Sequence, residues 1–586
     1  DINASAAIAG SKITPTFTTD ATINGVTVGK GTNSVNGNTA LGLNALSGAV
    51  TGIYNTAVGT DTLEANTSGN NNVAVGTDAL KSNTTGIRNV AIGAEALFYN
   101  QSGGDNVAVG TDSLVLNQSG SDNTAIGFYT LRNTTAGQNT GVGRAAIAEN
   151  TSGIYNVGVG VQALGNNTTA SSNVAVGWKA SFSNQTGTAN TALGHLALWG
   201  NTVSHNTGIG YYALQTNTSG AQNTAVGSNA LKLNTSGTAN VAIGYIAGQA
   251  ITTGGSNTAL GAYSLTSNQT GSNNTAAGVG ALQNNTSSNN TAYGQWASQG
   301  NTSGTTNVAV GTQALKSNQT AAANVAVGYA SQYHTTASDN TSLGYSALGR
   351  NTSGTRNVAV GKNSLNGTGS FNTGSNNVAV GTNALLTNTS GNDNVAVGYG
   401  SMDANTTGYD NVAVGDSTLS TNTSGFRNVA VGKSALSTNG SGSQNTAVGY
   451  EALDTYLGSQ NTAVGYFALK RATSGSKNVA VGVNALDHTT DGHSNTAVGF
   501  QALDSNTSGY RNVAIGSLAL ENNTSGFDSV AIGEGASHNN SSGSKNNAIG
   551  FQALYSDLAS NNNAFGYQAL RSNTSGSHNI AIGTSA

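Results

Sequence analysis

The chain is predicted to be all-β, a parallel β-solenoid or β-roll of about 33 coils of 16–17 residues, and three observations lead there. A five-residue signature, Asn-(Val/Thr)-Ala-(Val/Ile/Leu)-Gly, recurs with small variations 33 times between Asn38 and Asn579. Its spacing is 17 residues, shortening in places to 16. The composition is rich in backbone and poor in charge, with 81 Gly, one Pro and 8% charged residues in a chain of 586. A unit that short cannot enclose a core alone, so each copy must bury its apolar side against the next.

One complete unit runs from Asn72 to Arg88, and its residues are numbered here as positions one to seventeen. Position five is Gly in every copy from Gly42 to Gly583, and position one is Asn in every copy except Ser529. Position four is nearly always Val, Ile or Leu, and position nine is usually Leu, as in Leu63, Leu80, Leu97 and Leu114. Positions six, seven, ten, eleven, sixteen and seventeen vary, which marks solvent, whereas constancy marks a packing or backbone demand. The residues Asn72, Gly76 and Leu80, repeated as Asn89, Gly93 and Leu97, are therefore read as structural positions.

Each segment of the unit is assigned in turn. Positions one to five alternate as a strand does, Ala and Gly on one face and the β-branched or apolar pair on the other. A second short strand is expected over positions seven to eleven, with Ala at eight and Leu at nine. Asn-Thr-Ser-Gly at twelve to fifteen supplies a turn, because Asn and Gly tolerate positive φ. A helix would be broken in every unit by the fixed Gly and by that turn. Coils about 4.8 Å apart would make a rod of roughly 160 Å. Identical residues would then lie above one another, and the position-one Asn side chains would form a ladder of amide hydrogen bonds. Two aliphatic side chains and a few Ala or Gly per coil make a thin core. Burial between chains is expected to add to it, with positions two and four as the contact face and a homotrimer as the assembly.

Residues 1–37 lack the full repeat context and are read as an N-terminal connector or cap, and 38–586 as the repeat array. Three extra residues between Asn357 and Asn377, around Asn366 to Gly369, are expected to bulge as a loop. The array stops at Ala586, at position eight of an unfinished unit. A net charge of −4 without a basic block argues against nucleic-acid binding. No apolar run approaches 18 residues, so no membrane insertion by a helix is expected. With no Cys, disulfides and thiol chemistry are excluded.

Candidate chemistry is sparse. Rings directly follow the fixed Gly at Trp178, Tyr211, Tyr245, Tyr329, Tyr345, Tyr399, Tyr450, Tyr466, Phe500, Phe551 and Tyr567, all at position six. Such rings stack on sugars, which makes them candidate glycan contacts; the plainer and preferred reading is that they cover the edges of neighbouring coils or seal a seam between chains. His488 and His493 flank Asp491, a weak ligand pattern that reads more simply as solvent-exposed side chains. No catalytic, cofactor-binding or metal-binding set is identified, and the chain is read as a non-enzyme needing no cofactor. Position twelve makes Asn-x-Ser/Thr in most units, including Asn66, Asn83, Asn100, Asn117 and Asn150, which are glycosylation acceptors in a eukaryotic secretory host.

The tract Asn55-Thr56-Ala57-Val58-Gly59, followed by Ala-Leu and Asn-Thr-Ser-Gly motifs, resembles the head repeats of trimeric autotransporter adhesins, although those coils are nearer fourteen residues. The segment Asp1 to Ile13 resembles a connector of tail fibres of marine phages, especially cyanophages, whose shafts carry similar Asn-Thr-Ala-Val-Gly arrays. Both resemblances imply a homotrimer on a virion or otherwise outside a cell. The leading expectation is a structural and adhesive shaft of a phage tail appendage. It would join a baseplate or other attachment module to a host-receptor-binding surface, the receptor being possibly a glycan. The alternatives are a bacterial adhesin head, a glycan-coated extracellular filament and an ice-binding solenoid using Thr rows at positions two and thirteen.

Overall fold

The structure is a computed structural model that describes residues 20–586 except Tyr456. The Asp1 to Ile13 connector lies outside the described residues. Two compact units divide in sequence between Ala276 and Ala277. Each is a parallel β-solenoid, and among the described residues the architecture is all-β apart from one short 3-10 turn at Thr32–Ser34.

The described part of unit 1 opens with a hairpin, β1 (Ala21–Ile23) against β2 (Val26–Gly29), joined by Asn24-Gly25. Both turn residues have positive φ, 52° and 80°, the conformation that suits Asn-Gly in a two-residue hairpin. Strand β2 then pairs antiparallel with β3 (Thr39–Gly42), the first strand of the array, and so covers an edge that would otherwise be open. From β3 onward the pairing is parallel and in register, as in Val73↔Val90, Ala74↔Ala91 and Val75↔Ile92. Unit 2 repeats the pattern, for example Val395↔Val412, Ala396↔Ala413 and Val397↔Val414.

Within a coil the strand is only three residues long, positions two to four. The second strand expected over positions seven to eleven does not form. Its place is taken by three overlapping turns, closed in the Asn72 coil by Ala79 N–H to Gly76 O (3.3 Å), Lys81 N–H to Asp78 O (3.3 Å) and Asn83 N–H to Leu80 O (3.1 Å). Asp78 and Leu80 have φ of 60° and 49°, and the equivalent residues of nearly every coil do the same. The gain is in direction. Asp78 donates its N–H back to Thr60 O of the preceding coil, and Leu80 donates forward to Ala96 O of the following one. Alternating left-handed residues thus turn the corner while the backbone stays bonded to both neighbours, which satisfies polar groups that burial would otherwise orphan. Each left-handed residue costs about 1–2 kcal/mol. Full burial of the Leu side chain, about 1.5–3 kcal/mol, offsets this at position nine. An unbranched β-carbon also suits positive φ better than Val or Ile does, which explains why position nine is usually Leu, Ile147 being an exception, whereas position four is β-branched in most coils.

The core of each coil is small: Ala at three, Ala at eight and Leu at nine, represented by the fully buried Ala74, Ala79 and Leu80. Between these, Asn at one and twelve is also fully buried. The fixed Gly is required twice over. Gly76 has φ 133°, and a Cβ there would lie 2.6 Å from the Gly93 carbonyl oxygen of the next coil. The three extra residues after Asn357 loop out at Gly367 and Gly369, with φ of 73° and 90°, and register resumes as Val358↔Val378.

Candidate functional site

Two ladders of buried amides run through the coils. At position one, Asn72 Nδ2 donates to Asn55 Oδ1 of the preceding coil (3.1 Å) and to Gly86 O of its own coil (2.9 Å). Asn72 Oδ1 in turn accepts the backbone N–H of Asn89 (2.9 Å) and its side-chain amide (3.1 Å). The side chain therefore satisfies a main-chain donor of the next coil as well as itself. Ser529 preserves this function, since its Oγ accepts the Asn546 N–H at 3.2 Å. At position twelve a second ladder runs, as in Asn83 Nδ2 to Asn66 Oδ1 (3.0 Å) and Asn100 Nδ2 to Asn83 Oδ1 (2.8 Å). This second ladder places the Asn-x-Ser/Thr amides of Asn66, Asn83, Asn100, Asn117 and Asn150 in the interior. In the folded coil they are structural donors and offer no nitrogen to a glycan.

Outward from the strands, positions two and four present a half-exposed aliphatic strip in each unit. In unit 1 it includes Val174, Leu193, Ile243 and Leu260, and in unit 2 Val414, Val429, Val431 and Val464. Aliphatic side chains thus recur coil after coil on the outer sheet face, with Thr interspersed at position two, and leave apolar surface in water.

The position-six rings lie on the surface, and several meet on adjacent coils. Trp178, His195 and Tyr211 form a three-ring stack in unit 1, with centroids 4.8 and 5.2 Å apart. Tyr245 meets Tyr263 edge-on at 5.5 Å. In unit 2, Tyr329 stacks on Tyr345 (5.2 Å), Tyr450 on Tyr466 (5.4 Å) and Phe551 on Tyr567 (5.2 Å). Tyr399 is 61% exposed, and Phe500 is half exposed. These rings spend one face on each other and keep their edges and outer faces in water, so they offer short aromatic platforms. A second aromatic column, at position sixteen, was not anticipated from the sequence. There Tyr409 stacks on Phe426 at 5.0 Å, and His493, Tyr510 and Phe527 form a stack with spacings of 5.1 and 4.9 Å. The signal was available, since all five occupy one register position, but position sixteen is so variable elsewhere that it reads as drift.

The His488–Asp491–His493 grouping is not what the coil brings together. His493 belongs to the aromatic stack, while His488 converges with Asp487 of its own coil and Asp504 of the next. Burial pushes the Asp487 and Asp504 carboxyls above the ordinary range, the nearby His488 opposing the shift in both. Two coils beyond Asp504, burial lowers the His538 imidazole, against the pull of Glu521 in the intervening coil, whose Oε2 is 2.9 Å from His538 Nε2. The Thr hydroxyls at position thirteen are also committed within the protein: Thr67, Thr389 and Thr406 each donate to the carbonyl of the equivalent residue one coil on, at 2.8–2.9 Å. That leaves an ice-ordering row without free hydroxyl donors at these positions.

No helix among the described residues is long and apolar enough to cross a membrane. No protein-family model matches the chain, and no curated protein matches it significantly.

Proposed function

We propose that this chain is a non-enzymatic, structural and adhesive shaft of a phage tail appendage, assembled as a homotrimer outside the cell and joining an attachment module to a host-receptor-binding surface. The observation that carries the reading is the aliphatic strip at positions two and four. A three-residue strand that buries only Ala on its inner side leaves Val, Ile, Leu and Thr outside, where a second and third copy can cover them. Hydrogen bonds along the coil axis, from the strand ladder and the two amide columns, supply stiffness, and apolar burial between copies supplies association. The aromatic platforms at position six, such as Tyr450 with Tyr466, fit the role of lateral contacts for a sugar-bearing receptor.

Light scattering on the purified chain tests the assembly. A particle of three times the 58.1 kDa chain mass is expected, and replacing Val412 and Val414 with Lys is expected to dissociate it while leaving the circular dichroism of the coils intact. A monodisperse monomer contradicts the trimer. Mass spectrometry of purified virions and of outer-membrane fractions distinguishes a tail fibre from a surface adhesin. Unchanged cell binding after Tyr450→Ala with Tyr466→Ala would leave those rings a structural role only.

A further inference from the structure

Position ten of unit 2 carries acids on three consecutive coils, Asp487, Asp504 and Glu521. Two nearby charges are already answered: Lys470 Nζ meets Glu451 Oε2 at 2.5 Å, and Glu521 meets His538 at 2.9 Å. Asp487 and Asp504 are left facing a single imidazole. His488 Nδ1 lies 3.8 Å from Asp487 Oδ2 and 3.5 Å from Asp504 Oδ1, beyond hydrogen-bond length in the one case and at its limit in the other. Indeed Asp487 Oδ1, His488 Nδ1 and Asp504 Oδ1 have no hydrogen-bond partner. The Asp487 side chain is only 8% exposed, so an ionised carboxylate there has lost most of its water while its Oδ1 has gained no donor. Arg471 does not repair this. Its NH1 is 4.0 Å from Asp487 Oδ2 and in contact with the opposite nitrogen of the imidazole, Nε2, and its side chain is 57% exposed.

One ring nitrogen and an oxygen from each of two carboxylates, within 4.8 Å of one another, make the donor set of a first-row divalent metal once the imidazole presents its Nδ1 lone pair, which requires the Nε2–H tautomer and the exposed Arg471 side chain turned away from Nε2. The observed separations of 3.5 and 3.8 Å are close to the distance of about 3.3 Å between neighbouring ligands of tetrahedral Zn²⁺. We propose that Asp487, His488 and Asp504 form a Zn²⁺ site, with His488 Nδ1 and one oxygen from each carboxylate as ligands and water completing the shell. The inference rests on the coil geometry and is independent of the shaft reading. Such an ion joins two successive coils where position twelve offers little: Ala472 has no amide, and the buried Thr489 hydroxyl has no partner. Bound metal would replace, on the outside of the coil, cohesion that the amide column lacks inside.

The test is calorimetric titration of chelator-stripped full chain with Zn²⁺, alongside thermal melts with and without the metal, and parallel titration with Ca²⁺. One saturable equivalent of Zn²⁺ is expected, with a rise in Tm that grows with metal concentration. His488→Gln and Asp504→Asn are each expected to weaken binding at least about tenfold, whereas His493→Gln leaves it unchanged. His488 is 43% exposed in its side chain, so His488→Gln is decisive even if Asp504→Asn fails to fold. Absence of saturable Zn²⁺ binding, equal binding by the His488 variant, equal loss in the His493 variant, or preference for Ca²⁺ would each overturn the assignment.

Discussion

Two stretches of unit 2 share one backbone and differ in their interior. Between Asn377 and Asn428 both amide columns are continuous: Asn394, Asn411 and Asn428 each donate to the preceding position-one Asn at 3.1 Å, and Asn405 and Asn422 do the same at position twelve, at 2.9 and 3.0 Å. Between Asn461 and Asn512 the position-one column persists, with backbone N–H bonds of 2.9–3.0 Å onto Asn461, Asn478 and Asn495. The position-twelve column is interrupted there by Ala472 and Thr489. The two columns therefore do different work. Position one accepts a main-chain donor of the next coil, and losing it orphans a buried N–H. Position twelve mainly satisfies amides that the column itself introduces, so the sequence can drop a member at modest cost.

Substitutions can break this contrast in order of size. Gly398→Ala is expected to be the most damaging, about 4 kcal/mol in urea unfolding, because φ is 137° and the new Cβ would lie 2.1 Å from the Gly415 carbonyl oxygen. Asn411→Ala should cost about 3 kcal/mol by leaving the Asn428 N–H unsatisfied. Asn411→Ser should recover most of that loss, as Ser529 does naturally. Asn405→Ala, at position twelve, should cost only about 1 kcal/mol. If the two Asn→Ala variants were equally destabilised, the division of labour between the columns would be wrong. Thr489→Asn sharpens the comparison in the other direction, since an amide there can accept from Asn506 and donate to Gly492 O. A gain of about 1 kcal/mol is expected.

The smallest effect is tied to pH. Asp557 occupies a position-twelve site, fully buried, accepting from Asn573 (3.0 Å), Asn562 (3.0 Å) and the Ala559 N–H (3.1 Å). Burial nevertheless holds its carboxyl above the ordinary range. A carboxyl raised on folding binds its proton more readily in the native state, so it destabilises the fold at neutral pH, and the penalty is relieved as pH falls through the native pKa. Asp557→Asn should raise Tm at pH 7, and the advantage should shrink toward pH 4. An advantage that grew in acid would contradict the sign.

Much of this was legible in the sequence because repetition supplies its own comparison set. The solenoid, the fixed Gly and the Asn column at position one follow from constancy across 33 units. The second strand is expected but absent because Ala-Leu at eight and nine carries apolar residues that look like strand, whereas the left-handed φ of Asp78 and Leu80 leaves only a faint trace in residue type, the scarcity of β-branched residues at position nine. Asn at twelve was read as turn chemistry, and only the coil closure shows it facing inward. The Asp487, His488 and Asp504 grouping was hidden for a related reason: partners seventeen residues apart become neighbours only when the column, and not the linear motif, is the unit of reading.

In-register stacking of successive coils is the claim on which the rest depends, and paired cysteines test it most directly in a chain that has none. Ser420 and Ser437 occupy the same position of adjacent coils, with Ser420 Oγ donating to Ser437 O at 3.1 Å. Equivalent Cα atoms one coil apart lie about 4.8 Å from each other, within disulfide range. Ser420→Cys with Ser437→Cys should oxidise rapidly to an intramolecular disulfide without loss of stability, while Ser420→Cys with Asp454→Cys, two coils apart at about 10 Å, should not. Equal oxidation of the two pairs, or oxidation only of the distant one, would contradict the account.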